Sequence, residues 1–335
     1  MYKKAVILII VIAVVFVGYI YWYSDTRILP VERLNAIGSA QEIRAFVMKY
    51  HEIDKKHGLD VSFTARNPGD LERSVISGEF QGIAAMSPFA ASNFRREGHK
   101  LLIHAPEIAM TYHIAVRADS PYQSIVDLKG RTLGILPKVT AAYQSVAVIL
   151  ESSFGINPNA YFRITFGSIP ETVELLRNGR VEASILSYPL AAPLFASGEF
   201  RSVGYLGDLW VEQEGLVHPF VVNVVFEDWL KSRLNRKILA RWIEANNETV
   251  RLMLEHPEVI TEESNIPLRE YLTANGIDTE EEKRLLRENI PTLLYATWDE
   301  SDIEAMRRVL VRAKELGYLP KDAPTEMFLH PSDVF

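Results

Sequence analysis

The sequence predicts an α/β protein of two similar lobes behind an N-terminal transmembrane helix. Three observations predict it. Residues 5–23, AVILIIVIAVVFVGYIYWY, carry no charge. From residue 31 onward, strand-like and helix-like segments alternate. The β-α-β-α-β order of residues 31–90 returns about a hundred residues later.

The apolar run comes first. Nineteen residues at ~1.5 Å each span roughly 28 Å, close to the hydrocarbon thickness of a bilayer. Lys3 and Lys4 precede it and favour a cytoplasmic N-terminus. Tyr19, Tyr21, Trp22 and Tyr23 fall where an outer aromatic belt would lie. A cleaved signal is the alternative, but its site calls for small residues where this chain has GYIYWYSD. Either reading sets residues 25–335 outside the cytoplasm. Residues 1–24 are therefore expected to be a single-pass anchor or signal segment.

Composition narrows the function. The 335 residues are 48% hydrophobic, enough for a sizeable core. The net charge is −7 with no long Lys/Arg run, which argues against nucleic acid as a partner. There is no cysteine. That excludes disulfides, thiolate metal sites and cysteine nucleophiles.

The elements follow in order. VERLNAIG reads as a strand and SAQEIRAFVMKYHEIDKKHG as one helix. Ser39 and Glu42 have capping-box spacing, and Ile43, Phe46, Val47, Tyr50 and Ile53 share a face. LDVSFTA is a second strand, PGDLERSVISG a helix closed by Gly78, and GIAAM a third strand. Ser87-Pro88 then supplies an N-cap and a first-turn proline. In the second half RTLGIL, AYFRITFG and VEASIL read as strands. Between them lie a helix capped by Thr140 and one with the capping box Ser168/Glu171. Residues 77–92 align without gaps onto 178–193, pairing Gly78 with Gly179 and Pro88 with Pro189.

Two apolar stretches, 110–121 and 216–230, read as crossings between lobes. The first lobe is expected to take residues 31–116 and 217–335, and the second 117–216. Helical segments after 229 are expected to pack on the first lobe, with 318–335 as a surface strap.

In mostly parallel sheets a ligand lies beyond the strand carboxyl ends, where helices begin. Those positions are 38–41 and 87–90 in the first lobe, and 137–141, 168–171 and 187–190 in the second. Free N–H groups at a helix start favour an anion. The candidate ligand contacts are Ser39, Gln41, Ser87, Phe89, Tyr112, Lys138, Thr140, Ser187 and Tyr188. For the hydroxyls the competing reading is capping alone, for the aromatics ordinary packing, and for Lys138 a surface position.

Catalytic signatures are weak. His51 and His57 are six apart, about 120° around a helix, so they do not form a metal pair. No G-x-S-x-G elbow occurs. His113 and His218 fall near the crossings, as ligand contacts or as structural hydrogen-bonding groups. No cofactor or metal is expected.

The chain resembles the periplasmic binding proteins for sulfonates, taurine, nitrate and thiamine-pyrimidine precursors. HGLDVSF, SVISGEFQGIAAMSP, VRADSPYQSIVDLKGRTLGI, LRNGRVEASILSYPLAAPLF and FVVNVVFEDWL carry the resemblance, in order and spacing, over residues 31 to about 325. It implies a type 2 periplasmic-binding-protein fold and a monomeric, non-enzymatic partner of an ABC permease. Such a protein captures a small polar or anionic molecule between its lobes. Asp127-Leu128-Lys129-Gly130 is then a structural turn. Relatives often carry Gly-Ser or Gly-Thr where this chain has Pro137-Lys138-Val139-Thr140, so no substrate transfers. A ligand-sensing domain or an enzyme on the same fold is the alternative function.

Overall fold

The computed structural model describes residues 27–334 except 38 and 81. The expected membrane helix lies outside these residues. Among the described residues no helix is long and apolar enough to cross a membrane.

The first half runs β1 (Leu29–Ala36), α1 (Ala40–Tyr50), α2 (Ile53–Lys56), β2 (Leu59–Arg66), α3 (Pro68–Ile76), β3 (Ile83–Met86), α4 (Pro88–Arg96) and β4 (Leu101–Ala109). The second runs β5 (Tyr112–Arg117), β6 (Thr132–Ile135), α5 (Ala141–Phe154), α6 (Pro158–Tyr161), β7 (Arg163–Phe166) and α7 (Ile169–Arg177). It continues through β8 (Ala183–Ser187), α8 (Ala191–Ala196), β9 (Phe200–Tyr205) and α9 (Leu206–Glu214). Then come β10 (Pro219–Phe226), α10 (Arg233–Glu255), α11 (Ile266–Ala274), α12 (Glu280–Asn289) and α13 (Glu300–Glu315).

These strands make two five-stranded sheets of matching topology, β2-β1-β3-β10-β4 and β7-β6-β8-β5-β9. In each, the first three strands are parallel, and the strand from a crossing enters antiparallel as the fourth. β10 thus returns to the first sheet from the second half, and β5 enters the second sheet from the first. The sequence reading ended the first lobe at 116, but all of β5 pairs with β8 and β9. The chain changes sheet at Met110-Thr111 and again before Pro219.

Local differences have local causes. The helix expected over 39–58 breaks at His51-Glu52, where Glu52 takes φ 52° in the left-handed region. Gly58 follows α2 at φ 69°. That left-handed backbone calls for glycine; the Arg241 guanidinium, 2.7 Å from where a Cβ would stand, ends a flexible side chain and could move aside. AYFRITFG begins with the short α6, and its strand is confined to Arg163–Phe166.

The C-terminal helices do not pack on the first lobe alone. α10 covers the first sheet, with Ile238, Leu239 and Trp242 clustered against Val31, Leu59 and Val225. α12 meets α8 of the second half. α13 touches α4 in the first half and α5 in the second, and its Arg312 pairs with Glu214 of α9 at 3.3 Å. The tail is more than a surface strap: Leu319, Ala323, Met327 and Leu329 are buried, and Phe328 bridges Ile103 of β4.

Candidate ligand-binding cleft

Both sheets turn their carboxyl edges toward the crossings. In the first, β1, β2 and β3 end at Ala36, Arg66 and Met86. At the same edge β4 ends at Ala109 and β10 begins at Pro219. In the second, β6, β7 and β8 end at Ile135, Phe166 and Ser187, beside Tyr112 at the start of β5. The two edges therefore face each other at the pair of crossings, where Phe89 of the first half clusters with Tyr112 and Tyr143, and Ile43 with Tyr188. The Met110 N–H donates to the His218 carbonyl at 2.8 Å and joins those crossings.

Three helix starts at these edges are capped as the sequence predicts. Ser87 Oγ accepts from the Ala90 N–H at 3.0 Å, at the start of α4. Thr140 Oγ1 accepts from the Tyr143 N–H at 3.3 Å and donates to the Pro137 carbonyl at 2.7 Å, at the start of α5. Ser168 and Glu171 form their reciprocal capping box at α7. The remaining N–H groups of these first turns have no helical partner and lend each mouth partial positive charge. Lys138 is exposed in the loop that leads to Thr140.

Other candidates sit differently. Ser39 does not bond into the α1 helix; its Oγ donates to the Ala36 carbonyl at 2.7 Å. Gln41 is fully buried, and its Oε1 accepts from the Ala36 N–H at 2.7 Å. These two side chains hold the β1–α1 turn in place of the expected Ser39/Glu42 box. Ser187 is not a helix cap: α8 starts at Ala191, with Leu190 in the N-cap position.

The aromatic candidates divide between two cores. Phe89 is fully buried and joins the cluster of Tyr112, Tyr143 and Val146. Tyr112 meets Phe220 edge-on at 5.2 Å. Tyr188 belongs to a different cluster, with Ile43, Val47 and Ala191. Its neighbour His113 stacks on Tyr205 at 4.7 Å. Successive residues of β5 point to opposite faces, so Tyr112 and His113 separate, and each aromatic follows its face. Burial raises the Tyr188 phenol to about 12 and lowers the His113 imidazole to about 4, so both are neutral near pH 7. His218 is buried edge-on to Trp210, neither ring nitrogen is partnered, and burial lowers it to about 3. His51 and His57 pair with Glu262 and Glu248. Among the described residues no cluster of His, Cys, Asp and Glu has metal-binding form.

The structure adds residues that the sequence reading passed over. A recess of about 540 Å³ opens at the ends of β1 and β2, lined by Ile37, Arg66, Asn67, Asp70, Arg73 and Glu79 among others. Asn67-Pro68 is an N-cap position followed by proline, the same signal as Ser87-Pro88. Thr111, in the first crossing, carries a buried hydroxyl without a partner.

Two matched α/β lobes, joined by two crossings and with their strand carboxyl edges and helix starts facing each other, have the architecture of a periplasmic-type binding protein. Known structures share this fold. The aliphatic sulphonate-binding protein SsuA of Escherichia coli superposes with a TM-score of 0.66 at 14% identity, over 90% of this chain and 92% of that one. The alkanesulfonate-binding protein SsuA of Xanthomonas axonopodis pv. citri, bound to MOPS, gives 0.64 at 14%, over 92% and 99%. No curated protein matches the sequence. Residues 42–250 match the model of a family described as ABC transporter, phosphonate, periplasmic substrate-binding protein. The chain belongs to this family. It is a substrate-binding component of an ABC importer rather than an enzyme, and its lobes work outside the cytoplasm.

Proposed function

We propose that the cleft binds a small organic oxyanion of the phosphonate or sulfonate type and that the protein, as a monomer, hands it to an ABC permease. The observation that carries this is the pair of capped helix starts, Ser87 at α4 and Thr140 at α5, one from each lobe at the facing edges. Each offers first-turn N–H groups to negative charge, an interaction of about 0.3–2 kcal/mol depending on burial. The Ser168 mouth adds a third. Exposed Lys138 adds a full charge beside Thr140. The family and the sulfonate-binding neighbours point to the same ligand chemistry.

Ser39 and Gln41 act on the ligand by shaping the β1–α1 turn, Thr111 and Ser187 line the base of the cleft, and Phe89, Tyr112 and Tyr188 pack its walls. The lobes divide at the crossings: residues 29–109 with 219–334, and residues 112–214. Residues 5–23 tether the protein to the membrane beside its permease, which keeps captured solute near the importer. Thermal unfolding of the full-length protein against alkylphosphonates, alkanesulfonates, nitrate and neutral analogues tests the ligand class. A rise confined to the phosphonates or sulfonates is expected. A rise with neutral analogues alone would refute it.

A further inference from the structure

One buried cluster of the first lobe holds more positive than negative charge. Arg33 on β1, Arg44 on α1 and Glu107 on β4 are each at most 1% exposed. Both guanidiniums donate to the same oxygen, Glu107 Oε1, Arg33 from 3.1 Å. The other oxygen, Oε2, accepts from Asn223 Nδ2 at 2.5 Å. The only carboxylate of the group is therefore shared among three donors. Both guanidiniums also lie over the Trp242 ring, at 5.4 and 5.9 Å.

Burial lowers Arg33 to about 10, so it stays charged at neutral pH, and the charges acting on it are Glu107 and Arg44. Nearby His104 is lowered to about 3 by burial and then by Arg33, so it adds no charge. Two cations face one anion in a sealed interior, where an uncompensated charge is costly.

The unpartnered atoms show where compensation is missing. Arg44 Nε and Nη1, Arg33 Nε, Gln41 Nε2 and Asn35 Nδ2 are buried donors with no acceptor, and Asn35 Oδ1 is the one buried acceptor among these side chains with no donor. Gln41 Oε1 is committed to the Ala36 N–H, which fixes the amide with its nitrogen unmatched. Arg33 and Asn35 are two apart on β1 and share a face; Gln41 and Arg44 are three apart on α1 and share a face. The orphan donors thus gather between one strand and one helix, where charge is in excess. Water would satisfy some donors and leave the charge. A single-atom anion satisfies both.

We propose that the first lobe binds a monatomic anion of the chloride class between β1 and α1, held by Arg44 and Arg33 with the amides of Gln41 and Asn35. This site lies inside the first lobe and adjoins the β1–α1 turn through Gln41; the charge imbalance that calls for it is present without any ligand in the cleft.

The test uses the full-length protein in sodium chloride, sodium bromide and sodium gluconate at equal ionic strength. The unfolding midpoint should rise by about 3–5 °C, saturably, with either halide over gluconate. Crystals grown in bromide should show anomalous scattering between Arg44 and Asn35. Arg44→Met removes the excess charge and should abolish the halide response. Should that variant fail to fold, Gln41→Leu keeps both charges and should raise the half-saturating halide concentration at least threefold. Water density at the site with no bromide signal would overturn the proposal, as would a halide response unchanged in both variants.

Discussion

Met110 and His218 hold the two crossings together through one backbone hydrogen bond of 2.8 Å. Each lies beside a strand that has just left, or is about to enter, the first sheet. Rotation of one lobe against the other therefore concentrates at 110–111 and 216–218. Ligand contacts made to both lobes stabilise the closed arrangement in proportion to their differential affinity. The radius of gyration from X-ray scattering should fall when a bound phosphonate or sulfonate saturates the protein. An unchanged radius at saturation would argue against closure.

Thr140→Ala removes a helix cap that also borders the proposed site. Folding stability without ligand should fall by about 1 kcal/mol. Affinity should weaken by a further ~1–2 kcal/mol through the disturbed mouth. Calorimetric titration beside urea unfolding of the same variant separates the two effects. Ser87→Ala should behave alike from the opposite lobe. Parental affinity in both variants would remove the helix starts from the site.

Glu107 carries the only negative charge in its buried cluster. Glu107→Leu leaves Arg33 and Arg44 buried without an ionic partner and should cost about 3–5 kcal/mol. Urea unfolding at pH 7 checks this. A loss under 1 kcal/mol would mean that the guanidiniums find other partners.

Buried histidines predict a particular pH response. His218 is held neutral when folded, with its pKa depressed to about 3 from an ordinary 6.5. The unfolded chain binds the proton first as pH falls, so this contribution is complete above pH 6.5 and shrinks progressively toward pH 3. By pH 5 the loss is about 2 kcal/mol. Burial raises Glu72 to about 7 and Asp302 to about 6, and these act in the opposite sense over part of the same range. The total slope is therefore a poor readout, and the difference between His218→Gln and the parent is the informative one. The variant should lose about 2 kcal/mol less than the parent between pH 7 and pH 5. Parallel curves would contradict a neutral buried His218.

Gly134 on β6 lets α7 approach the second sheet. A Cβ at this position would stand 2.8 Å from Thr172 Cβ, an atom with little freedom to move. Gly134→Val should cost about 1–3 kcal/mol through overpacking. Thermal unfolding measures it, and an unchanged midpoint would show that α7 shifts freely.

The repeated lobes were legible because their punctuation is local. Ser87-Pro88, Thr140, and Ser168 with Glu171 mark helix starts, and Gly78 and Gly179 mark stops at matching places. β4 was not legible. It carries His104, Pro106 and Glu107 in mid-strand, a pattern that argues against a strand interior. β4 is an edge strand, and its pairing with β10 shifts register beside Pro106. The interior polar cluster then accommodates Glu107. β9, also an edge strand, showed too short an alternation. The capping hydroxyls were legible for the same local reason as the lobes. The faces of Tyr112 and Tyr188 were not, because a sheet's two cores are set by which helices cover them. Asn67-Pro68 carried a readable cap signal that the strand pattern beside it obscured.

The central claim is that this cleft captures an organic oxyanion for import. Isothermal titration of the full-length protein with a series of alkylphosphonates and alkanesulfonates tests it most directly. The account predicts at least one saturable 1:1 binder near micromolar affinity, about 8 kcal/mol, that weakens in Thr140→Ala. Absence of binding across the series, or binding that ignores Thr140 and Ser87 alike, would contradict it.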